Sequence, residues 1–217
     1  MKIKQILIKI IVFLIFIVFI KCEKTIDKTK INPNTKVKFK VYYYKDSPKV
    51  YCSGWVNVDN EKIGRWSYFN KNGQLTQTFE YKIINGERHT NQGWVYRNSI
   101  NDTNWDRSIF YKISGLKTKY KVGDSLKLKI SARKILKDWT TIFYYGDAIN
   151  DDFSNLKKIE LDSFVTKDTF AYFTKPLLEK GWKNFRSVIE QYVYKNKNDT
   201  MVKIMRRMYI DEKYFVE

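Results

Sequence analysis

The chain has 217 residues, a formal charge of +18, 43% hydrophobic residues, two cysteines and one histidine. That length suits one large domain or two small ones, each able to bury a core. Two cysteines and a lone histidine leave no metal-ligand spacing, and the basic residues are scattered, without the RNP-like, finger or basic-zipper patterns of specific nucleic-acid readers. The chain carries 16 Tyr, 14 Phe and 6 Trp, side chains that suit a pleated, half-buried surface, so the expected fold class is all-β.

Residues 1–21 read as a leader. Lys2, Lys4 and Lys9 precede an uninterrupted apolar run, Ile10 to Ile20. A secretory apolar region needs about 7–15 residues and a spanning helix about 20, so export is the expectation. The run ends in Phe19, Ile20, Lys21 and Cys22. A positive start, an apolar run and then a cysteine resemble the bacterial lipoprotein signal family. The resemblance implies cleavage before Cys22, lipid attachment to it and a membrane-anchored place in the cell envelope, in the outer membrane or facing the periplasm. An uncleaved leader that stays as the anchor remains the alternative. Without the leader lysines Lys2, Lys4, Lys9 and Lys21, the charge of +18 falls to +14. Such a charge attracts anionic head groups or, without sequence preference, nucleic acid.

Residues 22–36 read as a polar tether, with Pro33 interrupting it. Structure is expected to begin at Val37–Tyr44, where apolar residues alternate with lysines. Cys52 flanks an apolar run and reads as a small buried hydrophobe. A disulfide to Cys22 would require Cys22 to be free of acyl groups.

Residues 37–104 carry the most regular pattern. Glycine–aromatic signals recur at Gly54-Trp55, Gly64-Arg65-Trp66-Ser67-Tyr68 and Gly93-Trp94-Val95-Tyr96. Asn72-Gly73 and Asn85-Gly86 lie between them, and Asn-Gly favours the type I′ hairpin turn. Trp66–Asn70 should therefore pair with Leu75–Lys82, and a further strand should return through Trp94–Tyr96. The tryptophans are expected on one face. Gly64, Trp66, Tyr68, Phe69, Asn72, Gly73, Leu75, Tyr81, Asn85 and Gly86 resemble one unit of the MORN-repeat-variant family, with degenerate copies on either side. That family implies lipid or protein contact and supplies no catalytic residues. Since repeats need about three units to bury a core, these hairpins should lean on the rest of the chain.

Residues 105–217 change to longer alternating runs. In Ser125–Ser131, Leu126, Leu128 and Ile130 alternate with lysines after a Gly123-Asp124 turn, as in a half-buried strand. Further strands are expected at Trp139–Tyr145, Lys158–Leu161, Thr169–Thr174, Phe185–Tyr194, Met201–Met208 and Lys213–Val216. Gly181–Tyr194 also fits one helical face, but β-branched and aromatic residues favour a strand. The sum is an antiparallel β-sandwich, similar at fold level to the immunoglobulin-like modules of envelope proteins. The whole is an all-β chain: an apolar leader, then a MORN-like antiparallel hairpin meander packed on or next to an antiparallel β-sandwich.

Chemistry is sparse. His89 sits among Asn and Gly and reads as a solvated loop residue. Asp147, Asp151 and Asp152 lack a calcium-loop pattern and suit a turn. The isolated glycines, Gly54 and Gly93 among them, read as turn residues. Trp55, Trp66, Tyr68 and Trp94 are the candidate binding residues, as a stacking platform, although Trp66, Trp94 and Trp139 better suit core anchors for the hairpins. The expected function is that of a non-enzymatic binding or scaffold lipoprotein. It would need no cofactor or metal and contact membrane lipid through its anchor and an unknown protein or glycan partner, with no specific nucleic acid. The alternatives are a carbohydrate- or peptidoglycan-binding module with exposed aromatics and, less favoured, a hydrolase.

Overall fold

The computed structural model describes residues 37–133, 139–166, 169–194 and 202–217. The leader, Cys22 and the tether lie outside them. Apart from the 3-10 turn Trp105–Arg107, the regular structure among these residues is all strand.

The N-terminal part is one five-stranded antiparallel meander: β1 (Lys38–Tyr43), β2 (Val50–Val56), β3 (Lys62–Phe69), β4 (Leu75–Ile84) and β5 (Glu87–Val95), each paired with its neighbour in sequence. Its tight turns follow from asparagine chemistry. Asn85 and Gly86 both take positive φ, 51° and 80°, as a type I′ turn requires. At Asn72-Gly73 only Gly73 is left-handed, at φ 82°, so this turn differs from the type I′ expectation. Asn70 Oδ1 accepts the Asn72 and Gln74 amides at 2.9 and 3.0 Å, and the Gly73 amide donates to the Asn70 carbonyl at 2.9 Å. This asparagine organises its own turn, and Gly73 completes a longer hairpin loop. The same device recurs between β2 and β3. Asn57 Oδ1 accepts the Asp59 and Glu61 amides at 3.0 and 2.8 Å, while Asn60 takes φ 61°.

The C-terminal part is a sandwich of two sheets. The larger runs β10 (Asp162–Thr166), β9 (Thr140–Tyr145), β12 (Gly181–Tyr194), β13 (Val202–Val216) and β7 (Lys119–Tyr120), where only the β13–β7 pair is parallel. The smaller runs β11 (Phe170–Pro176), β8 (Ser125–Ala132) and β6 (Tyr111–Ser114). Leu126, Leu128 and Ile130 of β8 point inward against Phe143, Phe185, Ile189, Met208 and Ile210. Strict alternation on β8 produces this, because successive side chains of a strand face opposite ways.

Alternation also gives the larger sheet an apolar outer face. Val188 and Tyr209 lie there, covered by Ile149 and Phe153 from the β9–β10 connection and by Ile84 from the end of β4. The meander thus stands next to the sandwich and closes part of its outer face. The Asn91 side chain docks on the backbone of β13: its Nδ2 donates to the Tyr209 carbonyl at 2.9 Å, and its Oδ1 accepts the Tyr209 amide at 2.6 Å. Gln92 Oε1 accepts the Tyr111 amide at 3.1 Å, and Gly93 and Ile109 exchange backbone hydrogen bonds of 2.6 Å.

Several expectations are corrected here. Residues 158–161 are not a strand: Asn155 Oδ1 and its carbonyl hold the connection in turns, and the strand starts at Asp162. Residues 202–208 and Lys213–Val216 belong to one strand, which stays paired with β12 between them; Met201 lies outside the described residues. The short β6 and β7 were not anticipated. Gly181–Tyr194 is a strand, paired along its length with β13. Trp66 and Trp94 occupy opposite faces, because Trp66 stands opposite Phe79 and Phe79 opposite Gly93, while Trp94 stands opposite Thr78. Gly54 and Gly93 are packing seats instead of turn residues. A Cβ on Gly54 would lie 2.5 Å from the Trp66 ring, and one on Gly93 would lie 2.7 Å from Phe79.

Candidate functional site

Among the described residues, two places stand out by shape and chemistry as binding sites. The first is the face of the meander that carries Trp66. Trp66 is fully buried. Its ring lies over the bare backbone of Gly54, its indole N–H donates to the Trp55 carbonyl at 2.8 Å, and Lys62 Nζ stands 4.3 Å from the ring. Beside it runs a line of rings from Tyr44, just past the end of β1, across β2, β3 and β4. Tyr44 meets Tyr51 at 5.3 Å, Tyr51 meets Tyr68 at 6.0 Å, Tyr68 meets Phe79 at 5.5 Å and Phe79 meets Tyr81 at 6.4 Å. Most are edge-to-face pairs, the geometry that ring quadrupoles favour.

The polar ends of these rings are joined. The Tyr68 and Tyr81 hydroxyls lie 2.8 Å apart, and Lys62 Nζ donates to the Tyr68 hydroxyl at 2.9 Å. Burial pushes both phenols up from their ordinary range. Cys52, also buried here, has its thiol pushed up by burial against the opposing influence of Lys62. Tyr42, tilted over Trp66 at 5.9 Å, and Tyr51 remain 42% and 45% exposed. Both rings are open to solvent; Trp66 supports Tyr42 from beneath, and Tyr44 and Tyr68 flank Tyr51.

Of the expected binding residues, the fold brings Trp66 and Tyr68 together on this face. Trp55 is half-buried and edge-on to Phe39 at 5.3 Å, and it contributes its carbonyl to Trp66. Trp94 lies on the opposite face, stacked on Phe110 at 6.1 Å with the Arg65 guanidinium 5.1 Å away. Among the aspartates of the 147–152 turn, Asp147 pairs with Lys175 and Tyr145, Asp151 with Arg186, and Asp152 accepts the Ser154 amide at 3.1 Å. They serve three different partners and do not converge.

The second place is a half-open cavity of about 420 Å³ where the end of the β4–β5 hairpin meets the outer face of the larger sandwich sheet. Its apolar wall includes Ile84, Phe153, Leu156, Val188 and Tyr209. Its polar end is Glu190 on β12 and Arg207 directly opposite on β13. Only 8% of the Glu190 side chain is exposed, against 40% for Arg207. Glu190 Oε1 accepts Arg207 Nε at 2.5 Å, its Oε2 accepts the Tyr192 hydroxyl, and the Tyr144 and Tyr192 hydroxyls lie 3.0 Å apart. Burial, reinforced by the Glu190 charge, pushes the Tyr144 phenol up.

His89 also lines this cavity, which corrects the loop reading. The turn closes at Asn85-Gly86, so the chain is already extended at Glu87 and His89 sits within β5, edge-on to Tyr209 at 5.8 Å. Sequence reasoning passed over Glu190 and Arg207. The available signal was an acidic residue inside the run Val188–Tyr194, which is apolar or aromatic apart from Glu190 and Gln191, since a charge there must be paired if the strand is buried.

No protein-family model matches the chain, and no curated protein matches it.

Proposed function

We propose that the chain is an exported lipoprotein of the cell envelope. In this reading it is anchored through Cys22, and its folded part works as a non-enzymatic binding or scaffold protein. The MORN-like meander supplies the contact surface, and the immunoglobulin-like sandwich is the body that holds it. The observation that carries this reading is the ring face of the meander, where Tyr42 and Tyr51 stay accessible while Trp66 and Tyr68 are fixed from below. Such rings recognise a partner with little further loss of side-chain freedom. The buried carboxylate of the cavity also favours binding over catalysis, because Glu190 is engaged by Arg207 and Tyr192. Glu80, on the meander face opposite the rings, accepts the side-chain amides of Asn91 and Gln92 at 3.0 and 2.7 Å.

A second reading is favoured by the same accessible tyrosines. Flat rings flanked by Lys62, Arg88 and Lys71 suit the apolar faces of sugars, and peptidoglycan is the glycan an envelope protein would meet.

The test has two readouts. Intact mass of membrane-extracted protein should show loss of residues 1–21 and added acyl mass, while Cys22→Ala should leave the precursor uncut. Retention of Met1 with an unmodified Cys22 would replace the lipoprotein reading by an uncleaved anchor. Pull-down of the folded part on insoluble peptidoglycan should be lost in the Tyr42→Ala/Tyr51→Ala double variant if the glycan reading holds. Absence of retention, with protein partners recovered from detergent-solubilised membranes, favours the scaffold.

A further inference from the structure

We propose that the cavity between the meander and the sandwich is a second binding site, for a small amphiphilic monoanion: a carboxylate on an apolar body. It is separate from the ring face and does not depend on how that face is used.

Its size comes first. A volume of about 420 Å³ falls inside the range of roughly 300–1,000 Å³ that small-ligand sites occupy. The apolar wall dictates the body of the ligand. Phe153, Val188 and Tyr209 form a packed floor in which each is nearly fully buried, and Ile84 and Leu156 continue it upward. An aliphatic chain or a small ring laid on this floor removes its own apolar surface from water, together with what the partly buried Leu156 and Leu161 still expose.

The polar end dictates the charge. A buried carboxylate such as Glu190 would by itself call for a cation, but both of its oxygens are engaged, one by Arg207 and one by Tyr192. What this arrangement leaves for a ligand is the guanidinium. Arg207 is held at Nε and at one terminal nitrogen, and its side chain remains 40% exposed where it lines the cavity. A guanidinium so fixed offers its remaining N–H groups to a carboxylate in a set orientation, and the bond is charge-assisted. The fixing is structural: Glu190 and Arg207 are directly opposed on β12 and β13. His89 adds a polar ring on the β5 side. At the mouth Glu87 and Lys157 carry opposite charges, so the rim favours neither sign and selection falls to Arg207.

The experiment is titration calorimetry of the folded protein with three probes of one chain length: octanoate, octanol and octylamine. Octanoate should bind saturably, one per chain, and at least tenfold more tightly than the other two. Two variants locate the site. Glu190→Gln/Arg207→Gln removes both charges together, so neither is left buried without a partner, and it should erase the preference for the acid. Leu156→Trp should fill the cavity and abolish octanoate binding while the melting curve persists. If Leu156→Trp does not fold, the double variant decides alone. Tyr51→Ala should bind octanoate as the parent does, which separates this site from the ring face. Equal affinity for the three probes, preference for octylamine, absence of octanoate binding, or unchanged selectivity in the double variant would each overturn the assignment.

Discussion

In the sandwich, Phe185 lies between Phe173 at 5.0 Å and Tyr145 at 5.5 Å, with a sheet on either side. In the meander, Trp66 has a single sheet beneath it. It reaches full burial with Gly54 below, Tyr42 above, and the Lys62 ammonium over the ring. Both rings are removed from water, but by different means. The sandwich core is closed by a second layer of backbone. The meander closes its core with neighbouring side chains, which leaves Tyr42 and Tyr51 half in solvent. A single-layer sheet therefore carries an accessible ring surface as a consequence of how it folds, whereas a two-layer sheet hides its rings. The candidate contact surface belongs to the meander for that reason.

Large-to-small substitution should break the comparison most sharply. Phe185→Ala and Trp66→Ala should each cost about 3–5 kcal/mol, as truncation of buried aromatics does. They should differ in extent. Phe185→Ala should lower one shared transition, and Trp66→Ala should split unfolding, with tryptophan fluorescence changing before far-ultraviolet circular dichroism. Coincident transitions in Trp66→Ala would mean that the two parts stand or fall together.

The joint between the parts gives the next effect. Asn91 is fully buried and supplies both hydrogen bonds described above for the Tyr209 backbone. Asn91→Ala leaves a buried donor and acceptor short of partners, which costs about 1–3 kcal/mol per group. The Tyr111 hydroxyl already reaches the Tyr209 carbonyl at 3.3 Å, so the loss should fall mainly on the amide. Hydrogen exchange at the Tyr209 amide should speed up more than at Ile189 in the sandwich core. Equal changes at both would show that Asn91 acts on global stability alone.

These elements also show what the residues foretold. Alternation fixed β8 in advance, and Asn85-Gly86 fixed the β4–β5 turn, because each is a local rule acting on adjacent residues. The faces of Trp66 and Trp94 were not legible. They depend on register, and β-bulges at Gly54/Trp55 and Glu80/Tyr81 shift it. Gly54 and Gly93 were read as turn residues because a flat seat for a ring on the next strand leaves no local mark. The cavity was invisible for the same reason: it takes Ile84, Phe153, Glu190 and Arg207 from four distant stretches.

The glycine seats give a smaller and more selective effect. Gly54→Ala forces a methyl into the Trp66 ring, and overpacking of this kind costs about 1–3 kcal/mol. Gly86→Ala has open space around it but a φ of 80°, so it should cost about 1 kcal/mol through backbone strain alone. Gly54→Ala should change the near-ultraviolet signal of the buried indole, and Gly86→Ala should not. Identical spectra would remove the seat from the account of the meander.

The smallest effect is electrostatic and lies where the two parts meet. Burial raises the Glu212 carboxyl above its ordinary range; Lys82 opposes this, and the charges of Glu80 and Asp211 add to it. A carboxyl whose folded-state pKa is raised stabilises the fold while protonated, at pH below its unfolded value. That contribution is lost as pH rises through the folded-state value. Ionised Glu212 therefore weakens the fold at neutral pH, and Glu212→Gln should strengthen it there. The side chain is only half-buried, so solvent screening should keep the gain below about 1 kcal/mol. Asp147 moves in the opposite direction. Although its burial acts to raise the carboxyl, Lys175 and Tyr145 hold it below the ordinary range, so its contribution is lost as pH falls. The two are separable by taking the difference in denaturation midpoint between Glu212→Gln and the parent at each pH. That difference should be near zero at acid pH and grow as pH rises to neutral. A difference that is flat with pH would mean that Glu212 is as well solvated folded as unfolded, and that the joint carries no electrostatic strain.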